Sequence, residues 1–118
     1  PTCPVIFLGP ETPLRLAAAA EIASGAARPA PTAAAMAGVA RAHERLAAVI
    51  AETAMSGITT GFGPLANRRV AAAEGELLQQ NLVHHLASGV GPALGWAEAR
   101  AVVLARLMSL LQGWSGAS

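Results

Sequence analysis

The stretch PTAAAMAGVARAHERLAAVIAE, residues 31–52, decides the fold class. Thr32 follows Pro31 and carries the side-chain oxygen that an N-cap needs to receive a first-turn N–H. Beyond it Met36, Val39, His43, Leu46 and Ile50 recur at alternating spacings of three and four. This is the seam of an amphipathic helix. Arg41, Glu44, Arg45 and Glu52 fall mostly off that stripe, toward water or another subunit. His43 lies on it and is expected as a core histidine.

Working outward, Thr12 before Pro13 reads as an earlier helix start, since Pro loses nothing at the first helical position. That helix is expected to run to Gly25 with Leu14, Ala18 and Ile22 on one face, and ARPAPT (27–32) then breaks it. After the central helix the periodicity stops. SGITTGFGPLAN (56–67) supplies Gly57, Gly61, Gly63 and Pro64 and reads as a mobile loop. A helix over 72–88, closed by Gly89, follows. GVGPALG (89–95) separates it from a last helix over 96–113, whose apolar face is Val103, Leu107 and Leu111, widened by Leu104 and Met108. No strand pattern and no internal repeat is evident. The expected class is all-α, with residues 1–10 as a tail and residues 11–118 as one helical part.

Apolar residues make up 53% of the 118 residues and charged ones 13%, well under the roughly 25% usual in soluble chains. So few charges leave surface that copies of the chain or other protein are expected to cover. Every basic residue is Arg and every acidic one Glu, with no Lys, Asp or Tyr. Lysine Schiff bases, Asp-based triads and a tyrosyl base are therefore excluded within this sequence. A net charge of +1 with dispersed arginines offers no stripe for a phosphate backbone, so nucleic acid is not an expected partner. Cys3 is single and belongs to no metal-ligand spacing. The start has no basic region before its short apolar run, and the later apolar stretch from Ala101 to Trp114 is cut by Arg106. No membrane span and a cytoplasmic setting are expected.

Spacing alone names no reaction. Gly61-Phe62-Gly63 lacks the third glycine, the preceding strand and the Lys of a nucleotide loop. His84 and His85 are adjacent, so on a helix they point about 100° apart and cannot chelate one metal from the same face. No Asp is present to orient an imidazole toward a serine.

The ordered text adds what spacing lacks. GITTGFGPLANRRV (57–70), LQQNLVHHLASGVGP (78–92) and ARAVVLARLMSLLQGWSGAS (99–118) together resemble the ammonia-lyases that use a methylidene-imidazolone (MIO) electrophile. These are the histidine, phenylalanine and tyrosine enzymes and the related aminomutases. The resemblance covers Glu11 to Ser118 and leans toward the tyrosine branch. It implies the N-terminal helical segment of an aspartase-like helical fold, with a mobile inner loop, in a homotetramer whose active sites draw on several subunits. It also implies non-oxidative elimination of ammonia from an aromatic amino acid, L-tyrosine giving p-coumarate.

The resemblance carries three substrate-side residues. His85 and Leu86 match the pair that lies against the substrate ring, where His-Leu is the pattern of the tyrosine enzymes. A histidine can hydrogen-bond a phenol, and a site built around that bond rejects the analogue lacking it. Gly63 matches a glycine beside the substrate, where a side chain would occupy the ligand's space; turn geometry alone would also ask for glycine there.

Two departures stand against these matches. Ser56 occupies the position of the tyrosine that the family is proposed to use as base for the β-proton. A serine hydroxyl is shorter and far less acidic than a phenol, so Ser56 is not expected to take over. The electrophile, in turn, forms from an internal Ala-Ser-Gly that in the family lies downstream of Ser118. Ala23-Ser24-Gly25 and Ala87-Ser88-Gly89 spell the triplet, but both fall at expected helix ends where Gly is an ordinary stop, and neither precedes Asp-Leu. No cofactor is therefore expected within this chain, the MIO group being formed outside it, and the 118 residues alone are expected to be inactive. The rival reading is a short non-catalytic relative that binds an aromatic ligand or a full-length lyase.

Overall fold

The computed structural model describes residues 2–116. Its elements are β1 (Val5–Leu8), α1 (Leu16–Ser24), β2 (Arg28–Pro31), α2 (Ala33–Glu52), short 3-10 turns at Gly63–Leu65 and Ala72–Glu74, α3 (Gly75–Leu86) and α4 (Trp96–Leu110). The four α-helices bear out the helical class. Contacts divide the chain into two units, one of Pro1–Arg45 with Ala93–Ser118 and the other of Leu46–Pro92.

The first unit contains strands that the sequence did not announce. β1, inside the segment read as a tail, pairs in parallel with β2, Val5 opposite Arg28 and Leu8 opposite Pro31. The Arg28 N–H donates to the Pro4 carbonyl and the Thr32 N–H to the Leu8 carbonyl, both at 2.8 Å. Strand geometry repeats every two residues, so Pro29 and Pro31 sit at the alternate positions, where no N–H toward β1 is needed. Proline is tolerated in a strand only on such an edge.

The first helix starts later than Thr12-Pro13 suggests. Thr12 closes a turn instead, its N–H donating to the Gly9 carbonyl at 3.0 Å. The extended Arg15 becomes the residue before the helix, its carbonyl accepting from Ala19 at 3.0 Å. The far end matches expectation: Gly25 has a φ of 85° and donates to the Ile22 carbonyl at 3.1 Å, the left-handed stop that glycine adopts without a Cβ penalty. A Cβ built on Gly25 would come 3.0 Å from Cη2 of Trp96.

Thr32 caps α2 as its position predicts, its Oγ1 accepting from the Ala35 N–H at 3.1 Å while its hydroxyl donates to Glu11 Oε1 at 2.6 Å. This bond, followed by one to the Glu11 backbone, holds the Glu11 carboxyl below the usual carboxylate range. The buried face of α2, however, is turned one residue from the expected seam. Ala35 and Ala42 are buried, whereas Met36 is half exposed and His43 is exposed. His43 is thus no core histidine; its Nδ1 lies 3.1 Å from the Gly116 carbonyl. The reason is size, because a Cβ on Gly113 would stand 3.0 Å from the Gly38 carbonyl group. Only a face of small residues such as Ala35, Gly38 and Ala42 admits a backbone that close.

Leu8, Ile22, Ala27, Ala35, Leu104 and Leu111 form the core of this unit, with Ile6, Leu14, Val39, Leu107 and Met108 packed against it. On α4 the inward residue is Leu104 and not Val103, which is 67% exposed. Arg100 ties α4 to α1, its Nε and Nη2 donating to the Ile22 carbonyl at 3.2 and 2.9 Å while its guanidinium lies 4.4 Å from the Trp96 ring centre.

In the second unit the helix expected over 72–88 is shorter. The 3-10 turn at Ala72–Glu74 precedes α3, which stops at Leu86, and the Ala87 N–H donates to the Val83 and His84 carbonyls. Gly89 does not close it. Among the described residues of this unit only Gly57, Thr60 and Gly61 are buried.

Two expectations test these contacts by chemical denaturation. Thr32→Ala should cost about 1 kcal/mol, the usual worth of an N-cap oxygen. It should also flatten the pH dependence near Glu11's titration: a depressed carboxyl contributes stability above its unfolded pKa, and that contribution is lost as pH falls through the folded value. An unchanged acid limb in Thr32→Ala would refute the Glu11 link. Gly25→Ala should cost about 1–2 kcal/mol for a side chain in the left-handed region, whereas Gly89→Ala, with nothing within 4 Å of its Cβ, should stay within about 0.5 kcal/mol of the parent.

Candidate functional site

The residues with chemical promise from the sequence, Ser56, Gly63, His85 and Leu86, all fall in the second unit. The glycine-rich loop there is ordered by its own hydrogen bonds. The Met55 carbonyl accepts the N–H groups of Ile58, Thr59 and Thr60 at 3.0–3.2 Å, while the Met55 N–H donates to Thr59 Oγ1 at 2.8 Å. Further along, Gly61 donates to the Arg68 carbonyl at 2.9 Å and Val70 to that of Thr59 at 3.0 Å. Thr60 is buried, its hydroxyl 2.9 Å from the Gly61 carbonyl and 3.3 Å from that of Met55.

Each glycine has its own reason. A Cβ on Gly61 would stand 2.7 Å from both Cβ and the carbonyl oxygen of Leu65, closer than any packing permits. Gly63 has a φ of 57° with nothing within 4 Å of a built Cβ. It combines a positive φ, which turn geometry explains, with open space around it. Ser56 is exposed and forms an isolated bridge with Thr60.

Two contacts fasten this loop to α3. Gln79 Nε2 donates to the Gly57 carbonyl at 2.5 Å. Six residues on, the His85 ring meets Phe62, centroids 5.4 Å apart and planes inclined by 50°, within the range of favourable tilted aromatic pairs. The structure thus joins Gly57 and Phe62, the chain neighbours of Ser56 and Gly63, to α3. His84, next to His85, makes no such ring contact among the described residues, and Leu86 is 71% exposed. Sequence reading missed Gln79 and Phe62, although both lie inside the quoted blocks, because neither spacing nor residue type marks a loop anchor.

The two Ala-Ser-Gly triplets lie at the end of α1 and directly after α3, and ring closure would join the Gly nitrogen to the Ala carbonyl carbon. At Ala23-Ser24-Gly25 that nitrogen is directed at the Ile22 carbonyl, and Ser24 Oγ donates to the Glu21 carbonyl at 3.1 Å in ordinary helix-end fashion. At Ala87-Ser88-Gly89 all three residues are exposed and Gly89 has open space around it. The described residues include no group of three His, Cys, Asp or Glu placed to hold a metal, and no helix long and apolar enough to cross a membrane.

Residues 14–118 match the family model described as aromatic amino acid lyase. Over 80 residues the chain is 64% identical to a tyrosine ammonia-lyase of Cereibacter sphaeroides, covering 66% of this chain and 15% of that protein. A histidine ammonia-lyase of Anaeromyxobacter dehalogenans is 45% identical over 101 residues, covering 80% of this chain and 19% of its own length. Among solved structures, tyrosine aminomutase of Streptomyces globisporus superposes with a TM-score of 0.82 at 31% identity, over 88% of this chain and 20% of that one. The chain therefore spans about one seventh of the tyrosine ammonia-lyase it matches, and with a helical fold and a family match that agree along nearly all of it, it belongs to the aromatic amino acid lyases.

Proposed function

We propose that this chain forms the substrate-side wall of a tyrosine ammonia-lyase-like protein, in which ammonia is eliminated from L-tyrosine to leave p-coumarate. The observation that carries the reading is the placement of His85 against the loop at Phe62, one residue from the open space at Gly63. In this role the imidazole hydrogen-bonds the substrate phenol, Leu86 packs beside the ring, and Gly63 leaves room for it. The 64% identity to a tyrosine ammonia-lyase supports the choice of phenol over imidazole or phenyl.

The electrophile is supplied from outside these residues, as the family resemblance implies. When bound beside this wall it would accept the substrate's amino group and make its loss feasible. The homotetramer and the cytoplasmic setting belong to the same proposal and rest on the family resemblance. One observation favours the second reading, a non-catalytic relative binding an aromatic ligand or a full-length lyase: Ser56 stands where the family has its tyrosine base, and loss of that base is tolerable where elimination is no longer required.

Two measurements test the proposal. The 118-residue chain alone should release no ammonia from tyrosine, phenylalanine or histidine, because positioning without an electrophile leaves the barrier to β-proton loss in place. Steady p-coumarate formation, or a mass loss of two waters at either Ala-Ser-Gly, would overturn this. For specificity, the segment is placed in a complete lyase with Ser56→Tyr. His85→Phe should then lower the tyrosine-to-phenylalanine ratio of kcat/KM by about tenfold or more, since losing the bond and stranding a hydroxyl together cost at least about 1.4 kcal/mol. His84→Phe should leave that ratio alone. The reverse pattern would place the wrong histidine in the pocket.

A further inference from the structure

His85 lies in the last turn of α3 as an exposed residue, and among the described residues its ring makes no hydrogen bond. An exposed imidazole on a helix ordinarily samples several rotamers, and a selector that wanders cannot discriminate. What limits the ring here is the Phe62 contact at 5.4 Å. That contact is only as good as the loop holding Phe62, and the loop is anchored through Gly57.

Gly57 has a φ of 75° and is buried; its N–H lies 3.1 Å from the Thr60 carbonyl and 3.3 Å from that of Gly61, while its own carbonyl accepts from Gln79. Gln79 therefore holds the carbonyl of the same residue whose N–H closes the Thr60-Gly61 turn, and Phe62 follows Gly61 directly. Gln79 and His85 stand six residues apart on one helix, about 9 Å along its axis. The loop bridges these two points of α3, so a displacement at one end is felt at the other.

We propose that Phe62 and Gln79 are positioning residues for the substrate-selecting histidine. Gln79 sets the loop on α3, and the loop presents the Phe62 ring that confines the His85 imidazole to one orientation. This rests on the reading of His85 as selector, but the mechanical link is testable without it.

In the intact 118-residue chain, the imidazole proton resonances of His85 should move in Phe62→Leu through loss of the ring current. They should move also in Gln79→Met, which touches neither ring, while those of His84 stay in place. His85 resonances unmoved in Gln79→Met overturn the proposal. In the complete Ser56→Tyr lyase, Phe62→Leu and Gln79→Met should each lower the tyrosine-to-phenylalanine ratio of kcat/KM by roughly two- to tenfold, the range one aromatic contact supports. The loss should fall on KM for tyrosine more than on kcat, and Phe62→Tyr, which keeps a ring, should restore the parent ratio. A ratio that responds to His85→Phe but to neither loop variant sinks the proposal and leaves the functional reading intact. If His85→Phe itself changes nothing, the functional reading falls, and the resonance shifts alone decide whether the positioning link stands.

Discussion

The carbonyl oxygen of Ile22 is the point on which the first unit depends. It sits at the C-terminal end of α1, where unsatisfied carbonyls and the helix dipole concentrate negative potential. It accepts the Gly25 amide and both donors of the Arg100 fork. Hydrogen bonds to a charged group are worth about 1.5–3 kcal/mol, and the Trp96 face under the guanidinium adds to that. Because Arg100 belongs to α4, the same contact that ends α1 also fixes the distance and rotation of α4. Leu104, one turn on, then faces Ile22 in the core, and Val103 is left outside.

The second unit is built on a different balance. It has no large buried side chain among its described residues, and its order comes from backbone groups converging on Met55, Thr60 and Gly61. Such a unit has little hydrophobic stabilisation in reserve, which is the usual condition of binding loops. Its two anchors on α3 consequently matter more than comparable contacts in a packed core would.

Much of this was legible in the residues. Thr32 announced α2, Gly25 announced the end of α1, and the ordered blocks from Gly57 to Pro92 announced the loop and α3. The misreadings share a cause, which is that hydrophobicity was read without geometry. β1 and β2 are four residues each, too short to show an alternation, and β2 carries two prolines, so its composition argued against a strand. On α2 the bulky Met36 and His43 looked like the seam, but the approach of Gly113 to Gly38 selects the smallest residues instead. Gly89 looked like a helix stop, yet α3 ends three residues earlier on hydrogen bonds from Ala87. The i, i+4 pair Trp96 and Arg100 was visible in the text, whereas its attachment to Ile22 joins residues 78 apart and no local pattern encodes it. The same holds for Phe62 and His85, whose partnership exists only once the loop has folded back.

The prolines of β2 have one more consequence, for what the small sheet can recruit. Arg28 and Thr32 spend their amides on β1, and the residues pointing the other way are Pro29 and Pro31. That outer margin offers carbonyls but no N–H at either position, so an approaching strand would find no donors with which to continue the ladder. The sheet therefore cannot be extended past β2, and a chain so poor in charge is shielded from edge-to-edge association along that strand.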